Sequence, residues 1–131
     1  MIRLRLLSAG SLLILPLCTF AAEKGLNCES PERGAELVAC AAARHAAADV
    51  KLNIVYRQLR DTLRKHGDVA IEEYLQIAQR DWLKFQKSYC EFEALYEGAG
   101  GSYFSAKLID CIAETIVART KYLEEVLPYF N

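Results

Sequence analysis

From about residue 31 onward, apolar residues recur at intervals of three and four, which is the period of a helix with one apolar face. Strict alternation of apolar and polar residues, which is typical of strands, is nearly absent. Glycine-containing segments divide this region into three stretches, and short connections of this kind join antiparallel neighbours. The pattern therefore predicts an all-α fold, a small antiparallel three-helix bundle.

The first predicted helix runs from Pro31 to about His66, with Ser30 as its N-cap. Gly34 and the alanine-rich stretch 41–48 either break this helix into two or permit close approach by another helix. Gly67 then ends it in the left-handed conformation, and Asp68 caps the next helix. The apolar stripe of this first helix is Leu37, Ala41, Ala48, Leu52, Val55, Leu59 and Leu63.

The second predicted helix runs to about Tyr96 and carries most of the aromatic side chains. Its apolar positions form a sustained heptad-like seam, and the aromatic load predicts that this seam lies at the centre of the core. We call these residues the α2 stripe: Ile71, Leu75, Ala78, Trp82, Phe85, Tyr89, Phe92 and Tyr96.

The third predicted helix follows a glycine-rich turn at residues 98–102, with Ser102 as its N-cap and Pro128 at its end. Its predicted apolar stripe is Phe104, Leu108, Cys111, Thr115, Ala118, Tyr122 and Val126. The positions of the turns place Leu52, Trp82 and Arg119 in one layer of the bundle. Asp49 lies one helical turn from Leu52 and is expected to form an ion pair with Arg119. The residues predicted to form the structural core are Leu52, Tyr56, Trp82, Phe85, Asp49 and Arg119.

The N-terminal residues have the pattern of a secretory signal peptide. Arg3 and Arg5 precede a short apolar run, and small residues suit cleavage after Ala21. We therefore expect residues 1–21 to be removed and residues 22–131 to form a single domain. Lipid anchoring through Cys18 is the less favoured alternative, because Leu17 stands where a small residue usually precedes the lipidated cysteine.

Composition and charge exclude several classes of protein. The chain has 131 residues, 53% of them hydrophobic, and a net charge of −1, which suits one globular domain and argues against nucleic-acid binding. Removal of residues 1–21 leaves 14 of the 16 basic residues against 17 acidic ones, a net charge of −3. His45 and Asp49 have the spacing of two metal ligands, but two ligands make a weak site. We predict no metal, no cofactor and no enzymatic activity.

Four cysteines remain after the signal peptide, and an even number in an exported chain predicts two disulfide bonds. Cys90 and Cys111 are equidistant from the glycine turn, so they are expected to face each other across the second and third helices. Cys40 lies at the same end of the bundle, where Cys28 would have to fold back to reach it. Pairing of Cys28 with Cys111, or of Cys40 with Cys90, is also geometrically possible.

The order of several short motifs resembles the LprI-type lysozyme inhibitor domain over about residues 28–123. The resemblance implies a small, exported, cysteine-paired domain, some of whose members inhibit host lysozyme. One departure is that Gln86 and Lys87 stand where the family usually has Arg-Asp. The residues that carry the resemblance are Ala48-Asp49, Leu52-Asn53, Tyr56, Ala78-Gln79, Trp82-Leu83, Phe85, Cys90-Glu91-Phe92-Glu93, Gly100-Gly101-Ser102, Cys111, Thr115, Arg119 and Leu123.

The resemblance leads to the expectation of a periplasmic or secreted protein of the bacterial envelope that binds and inhibits a lysozyme-type muramidase. The alternative is a structural or stress-related envelope protein with another protein partner. The candidate contact is the glycine turn with its flanking tyrosines and the adjacent acidic residues, which suit a basic partner. We call these residues the turn-end surface: Tyr96, Gly98, Gly100, Gly101, Ser102, Tyr103, Glu91, Glu93 and Glu97.

Overall fold

The computed structural model describes residues 26–31, 34–97 and 100–130. Within these ranges the chain forms three helices, α1 (Gly34–His66), α2 (Val69–Tyr96) and α3 (Gly101–Val126), followed by one 3₁₀ turn (Leu127–Phe130), and it has no strand. The predicted all-α three-helix bundle is confirmed. The predicted signal peptide and Gly98 of the turn-end surface lie outside the described residues.

The helix boundaries agree with the sequence pattern at the turn between α1 and α2 and differ elsewhere. Gly67 has a φ of 78° and ends α1, and Asp68 occupies the N-cap position of α2, although its side chain forms no capping hydrogen bond. The cap of α3 is Gly100, so the prediction of Ser102 as the cap is wrong, because the helix already begins at Gly101.

The start of α1 also differs from the prediction, since Pro31 is not helical and α1 begins at Gly34. A helix from Pro31 would carry its first residue about 13 Å away from Cys40 along the axis. Cys28 is bonded to Cys40 with a Cα–Cα distance of 5.5 Å, so the chain has to reverse direction before α1 begins. From Gly34 onward α1 is a single uninterrupted helix of 33 residues.

The three helices are arranged up, down and up, so that α1 and α3 run parallel to each other. Arg44 of α1 contacts Asp110 of α3, and Lys51 further along α1 contacts Glu124 further along α3. At the start of both helices, a Cβ on Gly34 would collide with the side chain of Ser102. Glycine at this position therefore permits the close approach that the sequence suggested.

The apolar core lies mainly between α1 and α3. Its centre consists of fully buried side chains, and Tyr56, Trp82 and the 3₁₀ turn pack against it from outside. The prediction that Leu52 belongs to the core is confirmed, and Tyr56 and Trp82 are partly buried at its edge. The central residues are Leu52, Val55, Leu59, Leu63, Ile116 and Leu123.

The prediction that the α2 stripe forms the centre of the core is wrong. Phe85 is 59% exposed and Tyr96 is 78% exposed, whereas Leu75 and Trp82 are only partly buried. The face of α2 that is buried lies about a third of a turn away around the helix. Its members are Glu72, Gln79, Gln86, Cys90 and Ala94.

In α3 the buried face also differs from the predicted apolar stripe, but by less than in α2, because α3 contacts both of the other helices. Part of its predicted stripe borders α2 at Cys111 and Thr115, but Ala118 and Tyr122 are exposed. A different set of α3 side chains is buried: Ala106, Ala113, Ile116, Thr120 and Leu123.

The buried polar side chains of α2 have hydrogen-bond partners on the neighbouring helices. Gln86 donates from Nε2 to Thr115 Oγ1 at 2.8 Å and to the carbonyl of Ile112 at 3.2 Å. Gln79 accepts from Arg119 Nε at 3.0 Å. Among the described residues, every buried side-chain nitrogen or oxygen has a partner, which is why this polar face can be buried without a large desolvation cost.

The predicted ion pair between Asp49 and Arg119 is wrong. Asp49 is exposed on α1 and accepts a hydrogen bond from Asn53 at 2.9 Å, while Arg119 is directed to Gln79. The Arg119 guanidinium also lies 5.8 Å from the ring centroid of Trp82 and 5.3 Å from that of Tyr122. A neutral amide and two aromatic faces thus replace the carboxylate, and burial lowers the pKa of Arg119.

A second charged cluster fastens α2 to α1 near the opposite end of the bundle from the glycine turn. Glu72 Oε1 accepts from Arg60 Nε at 2.6 Å and from an Arg64 amino group at 3.0 Å. The hydrogen bond from Arg60 lowers the pKa of Glu72 below its ordinary value of 4.5, with burial acting in the opposite direction and the charges of both arginines assisting. The carboxylate form is therefore the form that the fold stabilises.

We expect Glu72→Gln to destabilise the protein at neutral pH and to have progressively less effect in acid. A carboxyl group whose pKa is lower in the folded state stabilises the fold above its unfolded pKa, and this stabilisation is lost as the pH falls through the folded value. The difference in unfolding free energy between the wild type and Glu72→Gln should thus shrink below about pH 4.5. Urea denaturation across the pH range measures it, with the exposed neighbour substitution Glu73→Gln as the control; a difference that grows in acid would contradict the prediction.

Candidate functional site

Two disulfide bonds hold the end of the bundle that carries the glycine turn. Cys90 of α2 is bonded to Cys111 of α3, and Cys28 is bonded to Cys40 of α1, each with a Cα–Cα distance of 5.5 Å. The pairing derived from the turn position is confirmed, and the two alternative pairings are wrong. Cys90 and Cys40 are almost fully buried, so both disulfide bonds and apolar burial stabilise this end of the bundle.

The turn itself presents backbone and two tyrosines at the surface. Gly100 has an extended backbone with open space around its Cα, and Gly101 has a φ of 56° where α3 begins. Tyr96 stacks on Phe92 with ring centroids 5.9 Å apart, and Tyr103 is about half exposed. Both tyrosines therefore flank the turn and are accessible, as the sequence predicted.

The acidic residues of the turn-end surface differ in their surroundings. Glu97 forms an ion pair with Lys107 of α3 at 2.6 Å, and the hydrogen bond from Lys107 raises the pKa of that lysine. Glu91 is exposed to solvent, whereas Glu93 is half buried. The pair closes the base of the turn with partly solvated charges, an arrangement that stabilises the fold little by itself.

A groove of about 330 Å³ runs from this end between α2 and α3. Its acidic side chains come from both helices, and Lys107 is the basic side chain in its wall. Sequence reasoning missed the contribution of α3, although the register that paired the cysteines also places Asp110 beside this part of α2. The four acidic residues of the wall are Glu93, Glu97, Asp110 and Glu114.

Gln86 and Lys87, where the resemblance leads one to expect Arg-Asp, lie in different environments. Gln86 is buried and joins α2 to α3 through Thr115, while Lys87 is exposed. The departure at position 86 is thus a change in the contact between two helices of the bundle. It is not a change on an exposed surface.

The described residues contain no group of three or more His, Cys, Asp or Glu side chains arranged to hold a metal ion. The predicted candidate pair of His45 and Asp49 does not form such a group. In the same part of the chain, no helix is both long enough and apolar enough to cross a membrane.

These features define a class of protein: a small helical domain, cross-linked by two disulfide bonds, of the type found outside the cytoplasm. Residues 27–123 match the lysozyme inhibitor LprI family, and the chain belongs to that family. The chain is also similar to an uncharacterized protein of Rhizobium meliloti (strain 1021), with 30% identity over 132 residues that cover 92% of this chain and 94% of the relative. No solved structure matches the chain.

Proposed function

We propose that this chain is an exported, non-enzymatic protein that binds a lysozyme-type muramidase in the periplasm or outside the cell and inhibits it. Membership of the lysozyme inhibitor LprI family over residues 27–123 is the observation that carries the proposal. The disulfide bonds support export, because such bonds persist in oxidising compartments. Inhibition then requires a surface that blocks access to the cleft of the enzyme.

The turn-end surface is the part of the chain that we propose makes this contact. Lysozymes cleave glycans with two carboxyl groups in an open cleft, so an inhibitor can act by covering that cleft. Tyr96 and Tyr103 provide exposed aromatic anchors on a base fixed by the Cys90–Cys111 bond, which limits the entropy lost on binding.

The acidic groove beside the turn supports a basic partner. Of its four carboxylates, Glu97 is paired with Lys107 and Asp110 with Arg44 of α1, and Glu93 and Glu114 add negative charge beyond these two pairs. Opposite charges across an interface accelerate association and orient the partners, and salt weakens this effect. We therefore expect inhibition of a basic lysozyme to weaken as the salt concentration rises.

The test is the clearing of a cell-wall suspension by lysozyme in the presence of the oxidised chain. We expect near-stoichiometric inhibition of at least one enzyme among the c-type, g-type and i-type lysozymes. Tyr103→Ala combined with Gly100→Lys is expected to weaken inhibition about 30-fold or more, because it removes an anchor and adds a positive charge. Gly100 has open space and extended backbone, so the new side chain is accommodated.

Tyr129→Ala is the matched control, since this tyrosine is exposed on the 3₁₀ turn at the other end of the bundle. Inhibition should be unchanged in this variant. Absence of inhibition with all three classes of enzyme would overturn the proposed function. Inhibition that survives the double substitution would place the contact elsewhere on the chain.

A further inference from the structure

The α2 stripe is the feature of the molecule that the bundle leaves unexplained. Five of its eight side chains are aromatic, and Phe85, Phe92 and Tyr96 are each more than half exposed. Phe85 stacks on Tyr89 with ring centroids 5.6 Å apart, and Phe92 stacks on Tyr96 one turn further along the helix. A contiguous apolar surface of this kind on a small protein usually marks an interaction site.

The spacing of the stripe identifies the shape of the partner. From Ile71 to Tyr96 the intervals are four and three in strict alternation, which is the heptad repeat of a helix that packs against another helix. The bundle uses this repeat in part, since Leu75 and Trp82 pack at the edge of the core, but α2 is buried mainly through a different face that includes Gln79 and Gln86. The exposed part of the seam is therefore available for a helix outside this chain's own bundle.

The same spacing reads identically in both directions along α2, so the seam is complementary to a second, antiparallel copy of itself. In the symmetric register Trp82 faces Phe85 of the other copy, and Ala78 faces Tyr89, which places a small side chain opposite a large one. Leu75 faces Phe92 and Ile71 faces Tyr96 in the outer layers. Such self-complementarity is what a two-fold interface requires.

The residues beside the seam fit this arrangement. On its outer flank, Tyr74 and Leu95 are both strongly exposed, and the symmetric register places them opposite each other. Asp81 then lies opposite Ser88, so no like charges are opposed on this flank. The inner flank is already occupied inside the bundle, for example by Glu72 with its two arginines.

The exposed area is sufficient for a stable contact. The exposed parts of Tyr74 and of the aromatic residues Phe85, Tyr89, Phe92 and Tyr96 amount to roughly 600 Å² for each chain. A symmetric contact would therefore bury on the order of 1,200 Å² in total, which reaches the lower range of specific interfaces. A dimer with a dissociation constant in the micromolar range is consistent with this area.

We propose that two copies of this chain form a homodimer through antiparallel packing of their α2 helices along the α2 stripe. This inference goes beyond the inhibition of lysozyme and does not depend on it. Tyr96 belongs to both the stripe and the turn-end surface, so the dimer and the lysozyme complex compete for this residue, and the variants that test the dimer leave Tyr96 unchanged.

Sedimentation velocity of the oxidised chain, from low micromolar to several hundred micromolar, tests the proposal without any lysozyme present. We expect a reversible transition to a species with twice the mass of the chain. Phe85→Glu should raise the dissociation constant about 30-fold or more, because it places a carboxylate in the central apolar layer. The helical circular dichroism should be retained, since Phe85 is exposed in the single chain.

Val50→Glu is the matched control: Val50 is 61% exposed on α1, and its substitution should leave the dimer intact. Benzoylphenylalanine in place of Phe92 should cross-link to the partner copy around Leu75. A link to the partner's own residue 92 would indicate parallel packing and overturn the proposed register. A single-chain species at all concentrations would overturn the proposed dimer. A loss of lysozyme binding in Phe85→Glu would not rescue it.

Discussion

Replacing Cys90 and Cys111 together with alanine is expected to lower the free energy of unfolding by about 3 kcal/mol. The two residues are 21 apart in sequence, and the bond restricts the unfolded chain over that loop. It also has a particular importance for α2, because the buried face of this helix is mostly polar and small and includes Gln79, Gln86 and Ala94. Without the bond, the C-terminal half of α2 has little apolar contact to hold it against α3.

Chemical denaturation followed by circular dichroism measures the loss, and hydrogen exchange locates it. Exchange should accelerate most in residues 86–97, and less in α1. The matched variant replaces Cys28 and Cys40, and its loss should be smaller, because Cys28 tethers a non-helical segment that gains freedom in the folded state as well. A stability unchanged by removal of the Cys90–Cys111 bond would show that packing alone fixes α2.

Leu59→Ala is expected to cost about 3 kcal/mol of unfolding free energy, within the range of 2–5 kcal/mol typical for a buried leucine. Leu59 is 1% exposed and lies at the centre of the core between α1 and α3. The substitution removes its apolar contacts and leaves a cavity, which the long rigid helices on both sides can close only in part.

Ile54→Ala on the same helix provides the comparison for Leu59→Ala. Ile54 is 43% exposed, and its truncation should cost less than about 1 kcal/mol. Thermal or urea unfolding of both variants gives the two values. Equal losses would mean that the core is not where the structure places it.

The elements set by local sequence could be predicted, and those set by contacts between helices could not. Gly67 ends α1 because only a residue free to adopt positive φ suits that position, and this is visible in the sequence. The Cys90–Cys111 pair follows from the position of one turn. Which face of a helix is buried depends on where the neighbouring helices lie. The periodicity of a single helix does not reveal their positions.

The α2 helix illustrates this difference. Hydrophobicity alone predicts that its most apolar stripe forms the core, yet the structure buries Gln79 and Gln86 instead. These amides can be buried because Arg119 and Thr115 on another helix satisfy them, and such partners lie 40 and 29 residues away in the sequence. For the same reason the acidic contribution of α3 to the groove was missed, while the tyrosines beside the turn were found.

Both disulfide bonds lie at one end of the bundle, and this has a consequence for how the domain opens. At that end, separation of α2 from α3 would require breaking the Cys90–Cys111 bond. At the other end, the charged contact of Glu72 with Arg60 and Arg64 and the docking of the 3₁₀ turn can break and re-form reversibly. Thermal fluctuations will therefore separate α2 and α3 more readily at the end near the Gly67 turn than at the cross-linked end, and a protease would find its first cleavage sites there.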